Sequence, residues 1–186
     1  MFFSQKQEIQ MVGRARMENF RRTLIFGNGG TGTTWMAREL GAILNRQVIH
    51  LDDVRWMPGH YGVARDNQLV FNEVAEAGQA DTWVMEGVYG WLAKAVLPRI
   101  TSLIWIDLPV DECIANVRAR GIQGGGSEAS FQELINWIRE YRGRENSSTS
   151  YESHYKLFDA HAGTKVLLKS RSEVISYVEA VRAAAA

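Results

Sequence analysis

The chain has 186 residues, with 46% hydrophobic and 23% charged side chains, and its 21 basic residues balance 21 acidic ones. This length suits a single domain with one core, and the balanced charge argues against a specific nucleic-acid-binding protein or one that coats an acidic membrane surface. Since the single cysteine, Cys113, excludes an internal disulfide, and neither a membrane span nor a signal peptide is recognisable, we expect a cytoplasmic protein.

The N-terminal segment, residues 1–20, mixes polar and charged side chains with scattered Met and Phe and has no clear periodicity. We interpret it as a leader, either poorly ordered or a short helix, ahead of one domain over residues 21–186. Met17 is a candidate natural start, because residues 18–22 lead directly into the first predicted strand.

Short apolar runs then alternate with longer amphipathic segments, which is typical of a parallel sheet covered by helices. The predicted strands are residues 23–26, 47–51, 82–85, 102–106 and 165–168. The predicted helices are residues 34–45, 66–78, 90–97, 110–120, 130–142 and 171–184. This α/β pattern predicts that ligands bind at the carboxyl ends of the strands.

Two stretches interrupt the alternation. Residues 55–65 hold a Pro-Gly turn among aromatic side chains, which predicts a loop over a pocket. Residues 121–129 are rich in glycine, and a flexible span between two arginine-bearing helices suits a moving lid.

The first strand runs into a glycine-rich segment, and a predicted helix follows it. Gly27, Gly32 and Thr34 fit the phosphate-binding pattern G-x-x-x-x-G-K-[ST], whereas Thr33 stands at the lysine position. Backbone N–H groups of such a loop turn toward phosphate oxygens, and the hydroxyl at the position of Thr34 ligates Mg²⁺. The residues expected to bind nucleotide phosphates are Gly27, Gly29, Gly30, Thr31, Gly32, Thr33 and Thr34. The alternative, a glycine turn that only joins strand to helix, is disfavoured by the strand–loop–helix context.

Acidic residues follow three of the predicted strands. Asp52, with Asp53 beside it, ends the second run and is placed to hold an acceptor hydroxyl, take its proton or support Mg²⁺. Glu86 ends the third and is placed as a metal or substrate ligand. Asp107 follows the fourth in the same way. Helix or turn capping is the alternative for Asp52, Asp53 and Asp107.

Arginines cluster on both sides of the glycine span. Arg118 and Arg120 precede it, and Arg142 and Arg144 follow it. Converging guanidinium groups bind the oxygens of a transferring phosphoryl group bidentately. A solvated basic face is the alternative, and we prefer that interpretation for Arg139.

Other conspicuous residues are interpreted as structural. Trp105 and Trp137 suit core or helix-packing positions, and Cys113 suits a buried one. The aromatics of residues 56–61 either stack on a substrate ring or cover an apolar pocket wall. The histidines without metal-ligand spacing are His50, His154 and His161.

Taken in order, these features resemble the adenylate-kinase-like branch of P-loop kinases, and more narrowly the bacterial topology-modulation or adenylate-kinase-related ATPases. The similarity runs from about Thr23 to Arg182. The segments that carry it are residues 27–34, 48–52, 56–59, 83–89, 106–109, 137–142 and 166–174. The resemblance implies a three-layer P-loop fold with a five-stranded parallel sheet ordered 2-3-1-4-5. It also implies an ATP site at the glycine loop and an acceptor site beneath residues 52–61. Residues 119–145 are then expected to form an arginine-bearing lid over the phosphates.

The sequence departs from that family at three positions. Thr33 replaces the P-loop lysine, Glu86 replaces an aspartate and Val88 replaces an asparagine. Loss of one charge that faces the transferring group costs on the order of 3–4 kcal/mol if its value resembles that of an oxyanion-hole donor. Either another cation takes the role, with Arg38, Lys94 and the lid arginines as candidates, or the protein binds nucleotide without efficient catalysis.

Two functions from different classes therefore follow. The first is transfer of a phosphoryl group from ATP–Mg²⁺ to a small-molecule acceptor, with Asp52, Glu86, Arg118, Arg142 and Arg144 as catalytic residues, Arg120 on the nucleotide, and Thr34 and Asp52 on the metal. The second is a nucleotide-binding pseudokinase or regulatory module. In a third interpretation, the loop binds a different phosphate or sulfate donor.

The expected partners are the nucleotide and a small-molecule acceptor, and we expect neither nucleic acid nor a membrane as a partner. The sequence leaves open whether the protein is a monomer or a homodimer.

Overall fold

The computed structural model describes residues 18–185, so most of the predicted leader, including Met17, lies outside the described residues. Its five strands form one parallel sheet in the order β2-β3-β1-β4-β5. The strands are β1 (Arg22–Gly27), β2 (Val48–His50), β3 (Trp83–Gly87), β4 (Ser102–Ile106) and β5 (Thr164–Leu168). The strand order implied by the resemblance is confirmed, and every predicted strand is present.

Eight α-helices connect and cover the strands over the described part of the chain. They are α1 (Thr33–Leu44), α2 (Leu51–Arg55), α3 (Asn67–Ala77), α4 (Gly90–Val96), α5 (Val110–Arg120), α6 (Glu128–Arg139), α7 (Tyr151–Ala160) and α8 (Arg171–Ala185). The six predicted helices are confirmed, whereas α2 and α7 are additional. The helix predicted over 130–142 ends at Arg139, and a 3₁₀ turn, Glu140–Arg142, follows it.

The sheet has a separate apolar layer on each face, as a three-layer fold requires. One layer, which includes Ile25 of β1, packs against α1, α5, α6 and α8. The other, which includes Leu24 and Phe26, packs against α2, α3, α4 and α7. Side chains alternate along β1 because successive residues of a strand face opposite sides.

The carboxyl ends of all five strands lie along one edge, and the connections that begin there include the glycine loop and residues 55–65. That second connection folds back on itself through a bridge between Trp56 and Ala64, so it is a loop, as predicted. No helix in the range 18–185 combines the length and apolar character needed to cross a bilayer.

A buried histidine ties α7 to the start of α4. His154 is fully buried, and its Nε2 donates to the carbonyl of Val88 at 2.9 Å while its Nδ1 accepts from the Tyr141 hydroxyl at 2.8 Å. Trp105 Nε1 donates to the same hydroxyl at 3.3 Å. Because both ring nitrogens are used by the neutral imidazole, a second proton has no acceptor; burial lowers the pKa of His154 to about 4.

Stability should therefore rise with pH between about 4 and 6.5. In that window the His154 side chain binds a proton in the unfolded state but not in the folded state. Protonation of this histidine therefore lowers the free energy of unfolding by up to about 3 kcal/mol as the pH falls. Urea denaturation from pH 4 to 7.5 measures this slope. His154→Gln keeps a donor and an acceptor without titrating, and should flatten the slope.

The matched control is His60→Gln at an exposed position, which should keep the wild-type slope. A His154→Gln slope as steep as that of the wild type would contradict the assignment.

Candidate functional site

The glycine loop between β1 and α1 is shaped by two positions that cannot carry a side chain. A Cβ on Gly27 would lie 2.4 Å from the backbone oxygen of Ile106, and one on Gly30 would lie 2.4 Å from that of Cys113. Gly30 also has φ +84°, in the left-handed region. The loop therefore lies directly on the end of β4 and on α5.

Two asparagines hold the loop in place. Asn28 is buried, and its Nδ2 donates to the carbonyl of Ile138 at 3.0 Å while its Oδ1 accepts from the Gly29 N–H at 2.9 Å. Asn116 of α5 donates to the Gly30 carbonyl at 2.9 Å. The loop is thus fixed by α5 and α6 before any ligand arrives.

Several backbone N–H groups of the loop remain available. Within residues 18–185 no acceptor lies within hydrogen-bond reach of the N–H groups of Gly30, Gly32, Thr33 and Thr34. The last two belong to the first turn of α1, where the helix dipole is positive. A Cβ built on Gly32 meets nothing within 4 Å, so open space lies beside this end of the loop, which suits an anion.

A buried carboxylate lies behind the hydroxyl of Thr34. Glu86 is 2% exposed, and its Oε1 accepts from Thr34 Oγ1 at 3.2 Å and from His50 Nδ1 at 2.7 Å. His50 and Glu86 are register partners on neighbouring strands, which explains their contact. Glu86 lies inside β3. From the sequence we had expected it to follow the strand directly.

Asp52 belongs to a second cluster, two residues beyond His50. It lies in the first turn of α2, which begins directly after the end of β2. Its Oδ1 accepts from the Tyr89 hydroxyl at 2.5 Å and from Trp56 Nε1 at 3.3 Å, and the indole also donates to the Tyr89 oxygen at 2.9 Å. Burial raises the pKa of Tyr89, and Asp52 raises it further, which keeps the hydroxyl protonated.

The late arginines have protein partners. Arg142 donates to Asp107 at 2.8 Å and lies 4.5 Å from the ring centroid of Tyr151. Arg144 donates to Thr149 and to the carbonyl of Trp137, and stacks over the Trp137 ring at 4.3 Å.

The helix after Asp107 has Pro109 as its N-cap and no side-chain cap, so the capping interpretation of Asp107 was wrong. Arg118 and Arg120 are exposed on α5. Arg120 lies one turn after Asn116, on the face that meets the loop.

An open depression of about 630 Å³ lies at the ends of β4 and β5. Two acidic and two basic side chains line it. They are Asp107, Asp111, Arg142 and Lys169, with Pro109, Val110 and Tyr151.

The oxygen-rich donor set fits Mg²⁺ better than a softer metal. Thr34 and Glu86 meet at the open end of the loop. In the range 18–185 no three His, Cys, Asp or Glu side chains come together to enclose a metal. Mg²⁺ typically has few protein ligands, since water and phosphate oxygens complete its shell.

Reasoning from the sequence missed His50, Tyr89, Asn28 and Asn116. The position of His50 could have been predicted. His50 ends the second strand and Glu86 lies at the end of the third, so pairing these two strands in parallel places the residues side by side. Tyr89 follows Glu86 by three residues and has no comparable signal. The asparagines act through backbone partners far along the chain, at Ile138 and Gly30, which no local pattern shows.

No family model and no curated sequence matches the chain, but its fold is similar to those of solved kinases. A shikimate kinase from Bacteroides thetaiotaomicron has a TM-score of 0.57 at 16% identity, over 87% of this chain and 96% of that one. A gluconokinase from Sinorhizobium meliloti 1021 has 0.56 at 11%, over 89% and 92%. A shikimate kinase from Acinetobacter baumannii, in complex with shikimate, has 0.56 at 14%, over 91% and 94%. The chain has the α/β fold of P-loop kinases.

The tight fit of the loop predicts the effect of Gly30→Ala. The new methyl group would lie 2.4 Å from the Cys113 oxygen at a left-handed φ, so we expect a loss of more than about 2 kcal/mol in unfolding free energy. Urea denaturation followed by circular dichroism measures it.

Gly59→Ala is the matched control, because Gly59 has φ +75° but open space around a Cβ. The unfolding free energy of this variant should fall by only about 1 kcal/mol, because the left-handed backbone conformation is its only cost. Equal losses in the two variants would show that the contact with α5 is not tight.

Proposed function

We propose that the protein binds ATP–Mg²⁺ at the glycine loop and transfers the γ-phosphoryl group to a small-molecule acceptor. The observation that carries the proposal is the set of unpaired loop N–H groups beside the cluster that Thr34 and His50 form with the buried Glu86. Such amides bind phosphate oxygens, and a hydroxyl backed by a carboxylate is a suitable support for the metal. The relationship to adenylate-kinase-like proteins belongs to this proposal.

The remaining groups have places in the same proposal. Asp52 holds the acceptor hydroxyl, because its cluster is joined to the Glu86 cluster by two short chain segments, residues 50–52 and 86–89. Arg118, Arg120, Arg142 and Arg144 bear on the phosphates from the two sides of the glycine span, residues 121–126. The depression beside Asp107 is the space for the rest of the nucleotide.

A nucleotide-binding module with little catalysis is the second candidate, and two observations favour it. Thr33 supplies no positive charge, and it is only 8% exposed. Arg142 and Arg144 already bind Asp107, Thr149 and the Trp137 carbonyl, so each must leave a partner before it can face a phosphate.

Thr34→Val tests the metal position. The change removes the hydroxyl and keeps the shape, so Mg²⁺ should no longer strengthen ATP binding, and affinity in the presence of Mg²⁺ should fall at least about tenfold. Titration calorimetry with and without Mg²⁺ measures both values.

Thr33→Val makes the same chemical change one residue earlier and should keep the Mg²⁺ dependence. Loss of that dependence in both variants, or in neither, would count against Thr34 as the metal ligand.

ADP release separates the two candidate functions. Under the kinase proposal, the wild-type protein releases ADP only when an acceptor is present, and Thr33→Lys changes turnover by less than about tenfold because another cation already acts. A coupled assay of ADP with a panel of hydroxylated acceptors measures this.

ATP binding without ADP release for any acceptor would overturn the kinase proposal. A rise of about a hundredfold or more in Thr33→Lys would favour the module with little catalysis.

A further inference from the structure

The acceptor side of the site is carried by residues 51–66, whose only carboxylates are Asp52, Asp53 and Asp66 and whose only arginines are Arg55 and Arg65. Asp52 is the one of these carboxylates that points into a cluster of polar groups, with the Tyr89 hydroxyl and the Trp56 indole. Both of those partners are uncharged. Among the described residues Asp52 forms no ion pair, so its negative charge is not balanced by a contact.

The two arginines are committed to holding the segment together. Arg65 donates to both carboxylate oxygens of Glu73, at 2.6 and 2.9 Å, and to the Val54 carbonyl at 2.9 Å. Arg55 donates to the Arg65 carbonyl at 2.8 Å and to Asn67 at 2.7 Å. These contacts hold the loop in place, although both hydrogen bonds of Arg55 come from Nη1 alone.

Arg55 is further held between two aromatic rings. Its guanidinium carbon lies 5.5 Å from the ring centroid of Trp56 and 5.7 Å from that of Trp91. Trp56 nevertheless remains 36% exposed, which leaves indole surface for a ligand. An aromatic surface beside a carboxylate, a hydroxyl and an indole N–H suits a molecule with an apolar C–H face and several hydroxyl groups.

We infer that the acceptor is a neutral polyhydroxylated compound, and that a carboxylate- or phosphate-bearing one is rejected. A ligand hydroxyl can donate to Oδ2 of Asp52, which has no hydrogen-bond donor among the described residues, whereas an anionic group meets the charge of Asp52, which no ion pair balances there. Like charges brought together at a binding site oppose binding, and unpaired repulsion of this kind sets specificity. The inference rests on the proposed function for the role of this cluster as the acceptor site.

Matched pairs of ligands test the inference by binding alone. The pairs are glucose with glucuronate, myo-inositol with inositol monophosphate, and cytidine with cytidine monophosphate. Titration calorimetry with a non-hydrolysable ATP analogue and Mg²⁺ present should show the neutral member bound at least about tenfold more tightly in each pair that binds. Tighter binding of an anionic member, or no binding of any neutral member at millimolar concentration, overturns the inference.

Asp52→Asn tests whether the carboxylate is the cause. It should shrink the preference for the neutral member by roughly tenfold, because it removes the repulsion and weakens the contact with a hydroxyl group. Asp53→Asn is the matched control: it makes the same change in net charge on the adjacent, exposed residue of α2, and should leave the preference within about twofold of the wild type.

An equal shift in the two variants would assign the preference to net charge and overturn the role of Asp52. The assay of ADP release is read separately. Neutral ligands that bind but release no ADP would overturn the proposed function and leave the class of ligand standing.

Discussion

One carboxylate oxygen, Oε1 of Glu86, constrains the part of the sheet edge where β2 and β3 end beside the glycine loop. A buried carboxylate is costly unless hydrogen-bond donors surround it, and its donors are Thr34 in the first turn of α1 and His50 at the end of β2. The glycine loop, β2 and β3 are therefore held in one arrangement. This arrangement also sets the positions of Asp52 and Tyr89, because Asp52 follows His50 by two residues and Tyr89 follows Glu86 by three.

Much of the fold could be predicted because its causes are local. Parallel strands buried on both faces are short apolar runs, and each run was visible. Helix α2 was missed because five residues are too few to show a period, and α7 because its buried face includes a histidine, His154. The contacts of the site could be predicted less well. That Arg142 binds Asp107 depends on the path of residues 108–141, which no spacing reveals.

The glycine loop separates two requirements that a lysine usually meets together. Binding a phosphate needs the shape of the loop and its amide groups, and both are present. Acceleration of transfer needs charge that acts more strongly in the transition state than on the bound nucleotide. Thr33 contributes to the first requirement through its backbone N–H and contributes no charge to the second. Under the proposed function, the loss of charge at this position therefore bears on turnover much more than on affinity.

The division between fixed and movable parts follows from burial. Val88 is held by His154, and His154 by Tyr141, so the segment that carries Tyr89 and the turn that carries Arg142 share one buried network. Residues 55–65 and 121–126 are mostly exposed and bury few side chains, and segments of that kind open at the lowest free energy. The two segments meet where the ring of Tyr61 packs against the glycines of the span. Tyr61 therefore joins these two exposed segments to each other, whereas the cluster around Glu86 belongs to the buried part of the site.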